Sequence, residues 1–332
     1  MPFTQGLKYD YCNPDVLFNR LEVKEGRLVT PDGQAYEVLW VPGYKRLGQK
    51  SSQRILELIS QGAKVLLTPE VSAESLQALG LLPHIKADEN LLWTHRKTKG
   101  AEWFYIAAPT GKDFHGTVKL KASGNAEIWD AVTGAIHGIP VQQDGEYACV
   151  KLDLERAGNC FVVFRENTAP KAPAPRLSMD KAVNLTEWSI QYPEGWGAPE
   201  GKHELSRLGP WKDLPVGPEA QAFSGTVVYE STFNSPEDRE YVLDLGEVDM
   251  IADITLNGEP AGVLWAHPYR LTIQAKPGNN TLRVAVTSTW YNRLAYDANL
   301  PESQRKTWTI AGPEAGSPLR DSGLLGPVRL LY

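Results

Sequence analysis

Cysteine is scarce: Cys12, Cys149 and Cys160 are the only three in 332 residues, so at least one is unpaired and no disulfide framework or metal knuckle can be read from their spacing. Long apolar runs are missing as well. No stretch approaches the roughly 18 residues of a membrane-spanning helix, and the opening Met1-Pro-Phe-Thr-Gln-Gly6 has neither the basic nor the apolar region of a secretory leader. Basic charge is not in excess: 34 Lys plus Arg stand against 40 Asp plus Glu, a net charge of -6. Nucleic acid and membrane are therefore excluded as expected partners. Nucleophile elbow, phosphate loop, dinucleotide fingerprint, zinc helix and CxxC are all absent. What remains is a composition typical of folded chains, 42% apolar and 22% charged, and enough length for two or three domains.

The pattern of residues 1–90 is that of an incomplete alternating unit. Ala35 to Pro42 reads as a strand stopped by proline, and residues 51–61 put Ile55, Leu58 and Ile59 on one helical face that ends at Gly62. Residues 63–68 form the next strand, and 72–79 a short helix opened by Ser72. Strand, helix, strand, helix implies a small parallel sheet. Ligands of such sheets sit at strand C-termini, here Pro42 to Tyr44 and Thr68 to Glu70, but no phosphate loop follows either strand.

From residue 91 to 166 the period changes to two, which predicts short antiparallel strands in one sheet beside the parallel remnant. Residues 167–180 carry closely spaced prolines and read as an extended linker. Residues 181–332 have the plainest all-β signal. Trp188, Tyr192, Trp196 and Trp211 come first, as irregular aromatic packing or early strands, and Asn257-Gly258 is a strong hairpin turn because both residues accept positive φ. The expected fold is mixed: a partial α/β layer with antiparallel β-sheet, then a C-terminal jelly-roll β-sandwich.

No pair of carboxylates can be assigned to hydrolysis by spacing, so no catalytic residue is named. Asp244, Glu247, Asp249 and Asp253 lie close together in sequence, yet strand alternation sends several of them to solvent. Sugar binding has better material, since a pyranose needs an aromatic face for its C–H patches and planar polar side chains for its hydroxyls. Trp265, His267, Tyr269 and Arg270 make one candidate stretch; Trp290, Tyr291, Asn292, Arg293 and Asp297 make another. On loops at one end of the sandwich the two would form a carbohydrate site. Alternatively the two tryptophans plug the core and Arg293 pairs internally with Asp297. His95 reads either as a general base or as the partner of a strand-end hydrogen bond. A structural calcium ion is compatible with loop carboxylates, but Asp249, Asp253 and Asp297 have no diagnostic spacing, and the metal remains unassigned.

Several segments in order resemble the region after the catalytic barrel of bacterial α-L-rhamnosidases, glycoside hydrolase family 106. They are Tyr9-Asp-Tyr-Cys-Asn-Pro-Asp-Val-Leu17, Gly26 to Tyr36, Ile128-Trp-Asp-Ala-Val-Thr-Gly134 and Phe223 to Tyr229. Leu243 to Val248, Leu256-Asn-Gly258, Leu264-Trp-Ala-His-Pro-Tyr-Arg270, Trp290-Tyr-Asn-Arg-Leu294 and Ser322 to Val328 continue the series. The resemblance implies that the acid and base carboxylates and a calcium site belong to a barrel that would precede residue 1. It also implies a C-terminal domain similar to the galactose-binding-like, sugar-binding jelly rolls of family 2 glycosidases. The expected function is then non-catalytic carbohydrate recognition or scaffolding, with a rhamnose-containing or related glycan as ligand and a catalytic barrel domain or second subunit as partner. The alternative is a rhamnoside-cleaving hydrolase, acting alone through an unrecognised carboxylate pair or with a separate barrel. A bacterial periplasmic or cytoplasmic location fits either.

Overall fold

The structure is a computed structural model that describes residues 6–87, 91–165, 169, 171–173, 179–195, 198, 200–215 and 217–332. It is a mixed, strand-rich fold with several β-sheets and few helices. The chain divides into two compact units: Met1–Pro109, Asp113–Leu154 and Asn159–Ala174 form the first, and Thr110–Lys112, Glu155–Gly158 and Pro175–Tyr332 the second.

In the first unit, β1 (Glu22–Lys24), β2 (Arg27–Val29) and β3 (Ala35–Tyr36) form an antiparallel sheet, and β4 (Leu39–Trp40) pairs in parallel with β5 (Val65–Leu66). The single strand expected from Ala35 to Pro42 is thus two short strands with different partners. Between β4 and β5 lies α1 (Gln49–Ser60), which buries Ile55 and Leu58 and is followed by Gly62 at φ +98°. Ile59, assigned by its spacing to the buried face, is 39% exposed. The short helix α2 (Ala73–Ala78) begins at Ser72, whose hydroxyl accepts from Ser75 N while the Ser75 hydroxyl accepts from Ser72 N.

The period-two region makes two sheets rather than the single one expected. β7 (Leu92–Thr98), β8 (Ala101–Ala107), β10 (Ala126–Trp129), β11 (Ile136–Ile139) and β14 (Asn159–Arg165) form one; β6 (Ile85–Lys86), β9 (Phe114–Leu120), β12 (Gln142–Asp144) and β13 (Tyr147–Leu154) form the other. Both feed one core containing Phe104, Ile106, Val118, Leu120, Val150 and Val162. That shared core explains the split: each sheet needs a second apolar layer to cover its inner face. Cys160 lies in it, and burial pushes its thiol up to about 12. Most of the linker expected at 167–180 falls outside the described residues. Among its described residues, Lys171 to Pro173 run along β11, where Ala172 O accepts from Gly138 N at 2.8 Å. Only glycine fits at 138, because a Cβ there would stand 1.9 Å from Lys171 O.

His95 is neither isolated nor simply at a strand end. Its ring stacks on Phe104 with centroids 4.3 Å apart, Nε2 lies 2.8 Å from Glu102 Oε1, and Nδ1 lies 2.9 Å from His84 Nδ1. A carboxylate can only accept, so in the neutral pair His95 Nε2 carries a proton, His95 Nδ1 accepts, and His84 Nδ1 donates. Burial, then the neighbouring His95 and Lys121, lower the His84 pKa, while Glu102 and Glu37 oppose the shift. Burial would raise Glu102, but His95 and Lys97 outweigh it and hold the carboxyl low. A histidine with a depressed folded pKa stabilises fully above its unfolded value and loses that contribution as pH falls below it; a depressed carboxylate behaves likewise at lower pH. The first unit is therefore expected to lose stability in two stages on acidification. His84→Gln should flatten the upper stage in thermal unfolding scans between about pH 7 and 5; parallel curves for variant and wild type would refute this.

The second unit is built on two larger sheets. β17 (Lys202–Leu205), β16 (Trp188–Gln191), β18 (Thr226–Ser235), β24 (Gly278–Thr287), β21 (Ile251–Leu256) and β22 (Glu259–Leu264) form the first in that spatial order. β15 (Ala182–Asn184), β26 (Arg329–Leu331), β19 (Arg239–Asp244) and β23 (Arg270–Ala275) form the second, and β20 (Glu247–Asp249) pairs with β25 (Gly323–Gly326). Ile190, Tyr229, Ile254 and Val284 from one sheet and Leu243, Ile273 and Leu330 from the other share one core. Period-two burial along β18 shows why: alternate residues face inward. The β21–β22 hairpin turns on Asn257 and Gly258 at φ +54° and +84°. Trp188, Tyr192 and Trp211 are buried in this core; Trp196 lies outside the described residues. Two short helices, α3 (Pro218–Gln221) and α4 (Tyr291–Ala298), complete the unit.

Candidate functional site

Strand register brings the two candidate stretches to one end of the six-stranded sheet. Ala252 faces Leu264 on one side and Val286 on the other, so the start of β21, the end of β22 and the end of β24 share an edge. The segments after β22 (Trp265 to Tyr269) and after β24 (Ser288 to Trp290, then α4) leave from that edge. Asp249 of β20 faces Gly323, which adds Arg320 to Ser322 to the same end.

Hydrogen bonds tie these segments together. Tyr269 OH donates to Met250 O at 2.8 Å, His267 packs edge-on against Tyr269, and His267 Nε2 lies 3.8 Å from Glu247. Burial raises the Tyr269 phenol pKa, with Asp249 and Glu247 adding to it. Asn292 Nδ2 donates to Arg320 O at 2.9 Å and to Ser322 Oγ at 3.2 Å, while Asn292 Oδ1 accepts from Arg320 N at 2.8 Å.

The candidate residues occupy different environments. Trp265 is 57% and Trp290 48% exposed, so neither plugs the core, and His267 is partly exposed. Tyr269 and Asn292 are buried and serve the network above. Arg270 pairs with Asp244 at 3.1 Å and with Glu155. Arg293 and Asp297 form an internal ion pair at 2.6 Å inside α4. Burial would raise the Asp297 carboxyl, but Arg293 and Thr307 outweigh it and hold its pKa below the ordinary value. The second Asp297 oxygen accepts from Lys306 N, Thr307 N and Thr307 Oγ1. Among the described residues no group of three or more His, Cys, Asp or Glu is arranged to hold a metal ion.

Sequence reasoning gave Arg320 no role, and weighed Asp249 for catalysis and calcium without linking it to this end of the sheet. The Arg320 guanidinium lies 3.6 Å from the centroid of the Tyr291 ring, and Arg320 is exposed. Asp249 is half-buried; burial raises its carboxyl, opposed by its hydrogen bond to Ser322 and by Arg320. Arg320 directly precedes Asp321 and Ser322, and no local spacing links it to residues 28 positions earlier.

The description of glycoside hydrolase family 106, alpha-L-rhamnosidase, matches residues 2–78. A protein of Formosa agariphila that carries the name beta-glucuronidase is 32% identical over 174 residues, covering 43% of this chain and 15% of its own length. The structure of a rhamnosidase from Novosphingobium sp. PP1Y superposes with TM-score 0.79 at 26% identity, covering 97% of this chain and 36% of that one. The chain is thus similar to parts of glycosidases, spanning little more than a third of that rhamnosidase and about a seventh of the Formosa protein.

Proposed function

We propose that this chain is a non-catalytic carbohydrate-recognition or scaffold region of an α-L-rhamnosidase-like protein, with 181–332 as a galactose-binding-like jelly roll. A rhamnose-containing or related glycan is its ligand, and the hydrolytic carboxylates belong to a catalytic barrel domain or second subunit. One observation carries the reading: Trp265 and Trp290 expose indole surface on loops at one sheet end, beside polar groups of fixed direction. Such faces pack on the C–H patches of a pyranose while the polar groups take its hydroxyls. The likeness to the Novosphingobium rhamnosidase supports the sugar class, and the 36% coverage of that chain supports a further module.

Trp265→Ala is expected to weaken binding of a rhamnose-containing oligosaccharide about tenfold, or about 1.4 kcal/mol, in titration calorimetry. No heat from the unaltered protein at millimolar glycan would remove the reading. A second reading, rhamnoside cleavage by this chain, is favoured by Asp249, whose raised carboxyl suits a general acid, beside Glu247 paired with Arg156. Release of an aryl leaving group that Asp249→Asn abolishes would establish it.

A further inference from the structure

We infer that Ile251 and Val263 form an aliphatic corner beside Trp265 that seats the C5 methyl group of a 6-deoxy pyranose, with Asp253 accepting from a ring hydroxyl of the same sugar. The inference rests on the recognition reading above and names the groups within that site that set the sugar class. Strand register places them. Ala252 and Leu264 are partners across β21 and β22 and both pack on the core, so alternation turns their neighbours to the outer face of the six-stranded sheet. Asp253 and Val263 are the next partners, and directly opposed residues hold their Cβ atoms about 4.5–5.5 Å apart. Ile251, two residues before Asp253, and Trp265, two after Val263, flank the Ala252–Leu264 pair on its other side. Ile251 is 42% and Val263 53% exposed.

The corner is built before a ligand arrives. Met250 N donates to Thr287 O at 3.2 Å, and Met250 O accepts from Tyr269 OH at 2.8 Å, which ties the start of β21 to β24 and to the loop after β22. Three large apolar side chains at one sheet corner mark a contact surface. A dry protein interface would strand the Asp253 carboxylate among them, because no described residue hydrogen-bonds or ion-pairs with its side chain. A pyranose suits both kinds of group: its C–H surface lies on indole and aliphatic carbon, and its ring hydroxyls donate to the carboxylate. The substituent on C5 then decides the class. A methyl group gains by leaving water for Ile251 and Val263, whereas a hydroxymethyl group would be stripped of water against carbon.

The test uses the full chain, with methyl α-L-rhamnopyranoside and methyl α-L-mannopyranoside, which differ only by the hydroxyl on C6, in calorimetry and saturation-transfer NMR. The rhamnoside is expected to bind about fivefold or more tighter, with the strongest saturation on its C6 methyl protons. Val263→Thr and Ile251→Thr should each weaken the rhamnoside about fourfold and leave the mannoside nearly unchanged. Asp253→Asn should weaken both sugars alike. Threonine suits an exposed strand position, so these variants keep the fold, which circular dichroism checks. If both threonine variants keep the preference while Trp265→Ala loses binding, the corner is overturned and the recognition reading stands. If the unaltered protein binds neither glycoside, both fall. Equal or tighter binding of the mannoside would overturn the 6-deoxy class.

Discussion

Replacing Asp297 with alanine is expected to cost the second unit about 3–5 kcal/mol, the range for removing one partner of a buried ion pair. Both side chains are nearly inaccessible, 4% for Arg293 and 2% for Asp297, and their bond is 2.6 Å. Without the carboxylate, Arg293 keeps Glu219 at 3.1 Å and the Tyr296 ring at 5.2 Å, and the backbone N–H groups of Lys306 and Thr307 lose their acceptor. Charge would remain buried with too little to balance it. Hydrogen exchange resolved by peptide should show the loss across α4 and residues 299–319, with the first unit unchanged. A loss below about 1 kcal/mol would mean that water replaces the carboxylate and that the pair is a surface one in effect. Because the folded pKa is depressed, the contribution is present above the ordinary aspartate range and disappears as pH falls through the lower folded value.

Gly323→Ala is expected to be comparably damaging, for a steric reason. A Cβ at 323 would lie 2.5 Å from Trp211 Nε1 and 2.8 Å from Tyr229 OH, at φ +113°. Those two groups are bonded to each other at 2.6 Å in the core, and the same hydroxyl accepts from Leu324 N at 3.2 Å. Crowding costs about 1–3 kcal/mol and an orphaned buried polar group a similar amount, so a total of roughly 2–6 kcal/mol is expected in urea unfolding. Gly258→Ala is the control: φ is +84°, but nothing lies within 4 Å of the added carbon. It should cost only the backbone strain, about 1–2 kcal/mol. Equal losses for the two would show that φ, and not contact with Trp211, governs position 323.

Features legible in the sequence were those whose cause is local. Asn257-Gly258 dictates its own hairpin, Ser72 caps the helix beside it, and Gly62 follows the helix it ends. The internal Arg293–Asp297 pair, one of two readings of that stretch, is present, but the helix that holds it was not legible in residues read as a loop. Pairing across distance was not legible. β8 meets β14 through Phe104 and Val162, and β9 meets β13 through Val118 and Val150, so alternation announced strands without saying that they divide into two sheets. The same limit applied to the candidate site. Exposure of Trp265 depends on where its loop leaves the sheet, and Arg320 reaches Tyr291 through a clamp formed 28 residues away.

All the sulfhydryl chemistry of the chain resides in the first unit. Cys12 is exposed, Cys149 partly covered and Cys160 sealed in the core between the sheets, while residues 175–332 have none. Attack on the innermost thiol requires the strands around β14 to part, and its raised pKa suppresses the reactive thiolate until they do. Alkylation of that one sulfur thus acts as a clock for opening of the α/β and antiparallel portion. It is blind to whatever happens at the tryptophan loops of the second unit.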